Sequence, residues 1–191
     1  MTVVALVRHG ETDWNREGRL QGSSDIPLNA LGRRQATRAG TELAALPYSW
    51  STLVSSPLSR AHATATAIGE QIGLTVTATH DDLVERSFGD AEGTLEYQRW
   101  RQWPGGLFPG MEPHHDVARR MSMRIEQLAG EHAGEAIIAV SHGGAIRALL
   151  GPLLGGPPPR IRNGGISVLE GEPGAWTILS INSTPPEDIW W

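Results

Sequence analysis

Arginine and histidine side chains follow apolar segments at several points of this 191-residue chain. Arg8 and His9 come directly after the first apolar run, and His142 and Gly143 follow a later one. Arg60 lies one turn into the helix that is predicted after a third apolar run. Arginine forks bind phosphate oxygens bidentately, and a helix N-terminus adds unpaired N–H groups and a positive partial charge. These residue types predict a binding site for a dianion.

The elements that must position these side chains are predicted from the apolar pattern. Continuous apolar runs are typical of strands buried on both faces, and here they alternate with stretches of helical spacing. Such alternation predicts an α/β fold with a mostly parallel sheet, in which ligands bind beyond the carboxyl ends of the strands. The predicted strands are 3–7, 52–54, 74–79, 136–140, 166–169 and 176–181, and the predicted helices are 30–46, 57–72, 117–129 and 145–154.

Two segments fall outside this alternation. Residues 151–165 are rich in proline and glycine, and strand-like sequence resumes after them, which predicts a loop within one domain. Residues 85–115 contain Trp100, Trp103 and several glycines without clear periodicity, and we expect either a lid over the site or a long surface excursion. The whole chain, 1–191, is expected to be a single domain, since domains run to about 50–250 residues.

Composition excludes several kinds of chemistry. All 16 basic residues are arginine, and cysteine is absent. Without lysine there is neither a Schiff base nor a phosphate-loop lysine, and without cysteine there is no thiolate nucleophile, cysteine-ligated metal or disulfide. The 21 acidic residues give a net charge of −5, which argues against general nucleic-acid binding.

The sequence also bears on where the protein acts. No stretch approaches the roughly 20 apolar residues that a membrane span needs. The first apolar run leads straight into Arg8 and His9 and lacks the basic-then-apolar order of a signal peptide. Together with the absence of cysteine, these features predict a cytoplasmic protein with neither a membrane nor a nucleic acid as partner.

Six stretches of the chain carry motifs that occur together in one known family. They are Arg8–Asn15, Leu20–Gly22, Leu28–Ala36, Ser55–Ala61, Glu85–Gly93 and Val140–Gly144. In this order they resemble the phosphoglycerate mutase-like branch of the histidine phosphatase superfamily, and specifically its cofactor-independent phosphatases. The resemblance implies a three-layer α/β/α sandwich and phosphoryl transfer through a phosphohistidine. One position departs from it: Ala91 stands where phosphatase-type relatives often carry tryptophan.

The resemblance also implies a role for each matching residue. His9 would be the nucleophile and Glu85 the proton donor, and a small phosphate ester would be the substrate. The residues implied in phosphate or substrate binding are Arg8, Asn15, Gln21, Gly22, Arg60, His142 and Gly143, with Arg8, Arg60 and His142 also expected to act in catalysis. No cofactor is expected. The family and the terminal Trp190-Trp191 pair also suggest a homodimer.

Four functions remain open at this point. They are a phosphatase, a phosphoglycerate mutase, a metal-dependent hydrolase with His9, His142 and Glu85 as ligands, and a non-catalytic phospho-ligand-binding protein. Family mutases carry an extra segment after the proton donor, whereas here only about 30 residues separate Glu85 from the next helix. A mutase must keep water away from its phosphohistidine, and so short a segment is poorly suited to that, which argues against the mutase. The sequence lacks the residue spacing that is typical of metal sites, which argues against the metal-dependent hydrolase. Every catalytic position of the family is present, which argues against a non-catalytic protein. The sequence therefore predicts a metal-independent phosphatase.

Overall fold

Six strands form one sheet at the centre of the molecule. The computed structural model describes residues 1–183, so the Trp190-Trp191 pair lies outside the described residues. The strands are β1 (Thr2–Arg8), β2 (Trp50–Ser55), β3 (Ala78–Thr79), β4 (Ala136–Ser141), β5 (Ile166–Glu172) and β6 (Ala175–Ser180). Their order is β3-β2-β4-β1-β5-β6, in which β5 pairs antiparallel with β1 and β6 and the other pairs are parallel. The predicted mostly parallel sheet is confirmed.

Helices cover both faces of this sheet. They are α1 (Asp13–Glu17), α2 (Ala30–Ala45), α3 (Ser59–Ile72), α4 (Glu96–Gln102), α5 (His114–Glu131) and α6 (Gly143–Leu154). Val4 and Leu6 of β1 share one buried cluster with α5 and α6, whereas Val3, Ala5 and Val7 share the other with α2 and α3. The predicted three-layer α/β/α sandwich is therefore confirmed. Within residues 1–183 no helix is long and apolar enough to cross a membrane.

The register of the central strands creates the edge at which the site forms. Arg8 of β1 pairs with Ser141 of β4, and Ser55 of β2 pairs with Val140. Because the three strands are parallel and end level with one another, the residues that follow them meet at one edge. His9 and His142 are thereby brought together.

Two helices and one strand differ from the sequence prediction. Helices α1 and α4 were not predicted, and α4 lies inside the 85–115 segment that we expected to be irregular. Neither helix contains a buried residue, so neither has the apolar stripe from which helices are predicted. Strand β3 has two residues rather than the predicted six, because it pairs with β2 only at Ala78 and Thr79. The lid role of 85–115 stays a prediction.

Candidate active site

His9 lies directly after β1 and is only 2% exposed. Its Nδ1 is 2.7 Å from the carbonyl oxygen of Gly10. Since a carbonyl oxygen can only accept, Nδ1 carries the proton in the neutral ring and Nε2 carries the lone pair. The ring of His142 lies 5.0 Å away, centroid to centroid. The geometry therefore presents Nε2 of His9 as the nucleophilic atom.

Both histidines are held in the neutral form. Burial lowers the pKa of His9 well below its ordinary value of 6.5, and repulsion from Arg8 and Arg60 lowers it further, against a smaller opposing effect of the hydrogen bond to Gly10. Burial and the charge of Arg60 likewise lower the pKa of His142. A neutral imidazole keeps its lone pair, so His9 is able to attack an electrophile at neutral pH.

Two arginines, one of them fully buried and the other partly buried, supply positive charge beside these rings. Arg60 is fully buried, and its Nη1 and Nη2 donate to the carbonyl oxygens of Ser24 and Gly22, each at 2.8 Å. Arg8 donates through Nη1 to the carbonyl oxygen of Ile161 at 2.7 Å. Burial lowers the pKa of each guanidinium to about 10, partly offset by the nearby carboxylate of Glu85. Both arginines therefore stay charged at neutral pH.

Several buried polar atoms of the site have no protein partner. Within residues 1–183, Arg8 Nε, Arg60 Nε and His142 Nδ1 make no hydrogen bond, while His142 Nε2 lies 2.9 Å from Ser56 Oγ. Buried polar atoms are normally satisfied, and a guanidinium nitrogen can only donate. An acceptor with several oxygens and a negative charge, such as a phosphate group, fits this set of atoms.

The carboxylate of Glu85 reaches the same edge. It accepts hydrogen bonds from the backbone N–H groups of Arg86 (2.9 Å), Gly144 (3.0 Å) and Ala145 (2.9 Å). The last two belong to the N-terminus of α6, where the helix dipole favours a negative charge. A Cβ at Gly144 would lie 2.5 Å from Glu85 Oε1, and one at Gly143 would lie 3.1 Å from Arg8 Nε. Both glycines thus let charged side chains approach α6.

Three predicted binding residues reach this edge through protein contacts. Asn15 Oδ1 accepts from the backbone N–H of Thr12 (3.3 Å), and Gln21 Oε1 accepts from Thr12 Oγ1 (2.6 Å). Gly22 uses its carbonyl oxygen to bind Arg60 (2.8 Å). The structure brings all seven predicted binding residues and Glu85 to one edge of the sheet. Direct contact of Asn15, Gln21 and Gly22 with phosphate stays a prediction.

Residues that the sequence analysis did not assign also build the site. Asn163 donates through Nδ2 to the carbonyl oxygen of His9 (3.1 Å) and to Asn15 Oδ1 (3.0 Å). Glu92 accepts from the backbone N–H groups of Ser23 (2.9 Å), Ser24 (2.8 Å) and Phe88 (3.1 Å), which fixes the loop whose carbonyl groups bind Arg60. The Glu92-Gly93 motif is a sequence signal for Glu92, whereas no sequence pattern indicates Asn163.

Metal ligands are the remaining question at this edge. Among residues 1–183 no group of three or more histidine, cysteine, aspartate or glutamate side chains is arranged to hold a metal ion. His9, His142 and Glu85, the set considered for a metal-dependent hydrolase, form no such group. Arg8 and Arg60 place positive charge at this edge.

Comparisons with known proteins agree with this geometry. The pattern that defines the histidine phosphatase superfamily (branch 1) matches residues 4–184. The uncharacterized phosphatase PhoE of Bacillus subtilis strain 168 is 39% identical over 95% of each chain. A probable phosphoglycerate mutase, GpmB of Yersinia enterocolitica, is 34% identical over 92% of this chain and 88% of its own. The structure of a mycobacterial glucosyl-3-phosphoglycerate phosphatase, in complex with VO3, is 31% identical, with a TM-score of 0.83 over 92% of this chain and 96% of the other. The chain therefore belongs to the histidine phosphatase superfamily.

Proposed function

We propose that this chain is a phosphatase that hydrolyses small phosphate monoesters through a phosphohistidine on His9 and requires no metal ion. One observation carries the proposal. His9 is neutral with its lone pair on Nε2, and within residues 1–183 the buried atoms Arg8 Nε, Arg60 Nε and His142 Nδ1 of the same site make no hydrogen bond. Two relatives, PhoE and the mycobacterial enzyme, are named as phosphatases, which supports the same reaction.

The first step forms the phosphohistidine. Nε2 of His9 attacks the phosphorus atom, and the bond from phosphorus to the ester oxygen breaks. The departing oxygen takes a proton from the carboxyl group of Glu85 and leaves as an alcohol. Phosphate monoester hydrolysis is among the slowest uncatalysed reactions, so the charge that shifts between oxygens must be neutralised. Arg8 and Arg60 supply that neutralisation.

The second step restores the enzyme. A water molecule attacks the phosphorus atom, Glu85 takes one of its protons, and the P–N bond breaks. Inorganic phosphate leaves, His9 recovers its lone pair and Glu85 is again protonated. Splitting one difficult substitution into two easier ones is the advantage of a covalent intermediate.

Asn15, Gln21, Gly22 and Gly143 complete the proposed phosphate site. Asn15 and Gln21 each have an amide nitrogen that is able to donate to a phosphate oxygen while the amide oxygen keeps its protein contact. Gly22 holds Arg60 through its carbonyl group, and Gly143 leaves space for Arg8 at the start of α6.

Phosphate release from a panel of phosphate monoesters tests the proposal. We expect turnover of p-nitrophenyl phosphate by the purified chain to be unchanged when a chelator such as EDTA is present, because two arginines supply the positive charge. Colorimetric rates measured with and without chelator check this. Loss of activity in chelator, followed by recovery on addition of zinc or magnesium, would favour the metal-dependent hydrolase instead.

A phosphoglycerate mutase is the second candidate, since GpmB is a probable mutase. A mutase must keep water from its phosphohistidine. Here the segment after Glu85 is short, and Tyr97 and Trp100 of α4 are exposed at 67% and 62% rather than packed over the site. We therefore expect 3-phosphoglycerate, if it is turned over, to yield inorganic phosphate faster than 2-phosphoglycerate. A coupled assay for both products measures this. Isomerisation that outpaces phosphate release and requires a bisphosphate primer would identify a mutase.

A further inference from the structure

Arg120 of α5 binds the chain segment that contains Glu85. Nη1 donates to the carbonyl oxygens of Asp82 (2.8 Å) and Val84 (2.7 Å), and Nη2 donates to that of Glu85 (3.2 Å). Nε and Nη2 also donate to the two carboxylate oxygens of Glu112, at 2.8 and 3.0 Å. All five donors of the guanidinium are therefore used, and none is left for a substrate.

Glu112 extends this contact to the residues after Glu85. Its carboxylate accepts from the backbone N–H of Ser87 (3.3 Å), and its carbonyl oxygen accepts from Arg86 Nε (2.7 Å). The hydrogen bond from Arg120 is the main reason that the pKa of Glu112 lies below its ordinary value. The Arg120–Glu112 pair thus fixes the main chain on both sides of Glu85.

The side chain of Glu85 depends on this main chain for its direction. From that fixed position its carboxylate reaches across to the N–H groups of Gly144 and Ala145, at the same edge as His9. We propose that Arg120, held by Glu112, is a positioning residue that aligns Glu85 for proton transfer to the leaving oxygen. The inference rests on the role of Glu85 in the proposed function.

Arg124 offers a matched control on the same helix. It lies one turn after Arg120, and their side chains are exposed to nearly the same extent, 19% and 17%. Arg124 donates through Nε and Nη2 to Asp82 Oδ2, at 3.0 and 2.7 Å, and none of its hydrogen bonds reaches residues 84–87. Arg124→Ala therefore removes an ion pair between α5 and Asp82, which Arg120 also contacts, without releasing the main chain around Glu85.

The test compares substrates whose leaving oxygens differ in basicity. Misplacing a catalytic group by about 1 Å costs up to about 100-fold in rate. We expect Arg120→Ala to slow phosphohistidine formation from an alkyl phosphate by up to this factor in single-turnover measurements, and to slow the same step with p-nitrophenyl phosphate far less. Arg124→Ala should leave the ratio of the two rates unchanged. Arg120→Lys keeps the charge but not the five hydrogen bonds. Its ratio of the alkyl phosphate rate to the p-nitrophenyl phosphate rate should therefore lie between those of Arg120→Ala and the unchanged protein.

A double substitution separates this inference from the proposed function. If Arg120 acts through Glu85, Arg120→Ala should add little to the loss that Glu85→Gln causes with the alkyl phosphate. An equal fall with both substrates, or full additivity with Glu85→Gln, would overturn the inference while Glu85→Gln alone still showed the contrast. If Glu85→Gln alone showed no contrast, the proton-donor assignment would fail first, and the inference with it. Should Arg120→Ala not fold, Glu112→Gln tests the same contrast from the other partner.

Discussion

Replacing His9 with alanine should abolish turnover. We expect phosphate release from alkyl and aryl phosphates alike to fall by at least about 10⁴-fold, the scale seen when a covalent enzyme loses its nucleophile. The reason is that His9 combines a neutral ring, a proton fixed on Nδ1 and a lone pair on Nε2 within the arginine-lined site. Steady-state phosphate release measures the effect. His62→Ala is the matched control, since His62 is an exposed histidine of α3.

The proposed phosphorylated intermediate would provide a direct readout for the same residue. During turnover, rapid quenching under alkaline denaturing conditions followed by mass spectrometry should find a phosphate adduct on the peptide that contains His9. Acid treatment should remove the adduct, because the P–N bond of a phosphohistidine is acid-labile. Near-normal turnover of His9→Ala, or an adduct on a different peptide, would show that the nucleophile is another residue.

The central part of the fold follows from local pattern. Strands β1 and β4 are almost completely buried, so their sequences are continuous apolar runs that predict parallel strands. Helix α2 was predicted because Ala39 and Leu43 recur at helical spacing on its buried face. Helix α4 has no buried residue and hence no such spacing, which is why a helix inside the 85–115 segment was missed.

Some residues of the candidate site were also predictable from local sequence pattern, and others were not. His9 and His142 were predictable because each directly follows a buried strand, and parallel strands bring such residues to one edge. Asn163 and Arg120 were not predictable from the sequence. Asn163 binds a main-chain carbonyl group 154 positions away, and Arg120 binds carbonyl groups up to 38 positions away. Every residue carries a carbonyl group, so a contact of this kind leaves no pattern in the residue types.

Glu85→Gln should separate two classes of substrate. An alkyl alkoxide needs a proton as the P–O bond breaks, whereas a nitrophenolate hardly does. General acids contribute typically about 10²–10⁴-fold. We therefore expect phosphohistidine formation from an alkyl phosphate to slow by a factor in that range, and formation from p-nitrophenyl phosphate to slow far less. Rapid-quench, single-turnover kinetics are required, because the proposed mechanism also makes Glu85 the base in the second step, and this second role would mask the contrast in steady state.

The contacts of Glu85 define how this result is interpreted. The glutamine amide has one oxygen, so it cannot accept from Arg86, Gly144 and Ala145 as the two carboxylate oxygens do. Any resulting shift of the site slows both substrates equally, and only the difference between them reports proton transfer. Equal slowing would assign Glu85 a structural role and leave Glu11, Asp90 and Glu92 as donors to test. Glu92 fixes the loop whose carbonyl groups bind Arg60, so replacing it would also disturb the phosphate site. Glu11 and Asp90 would therefore be substituted first.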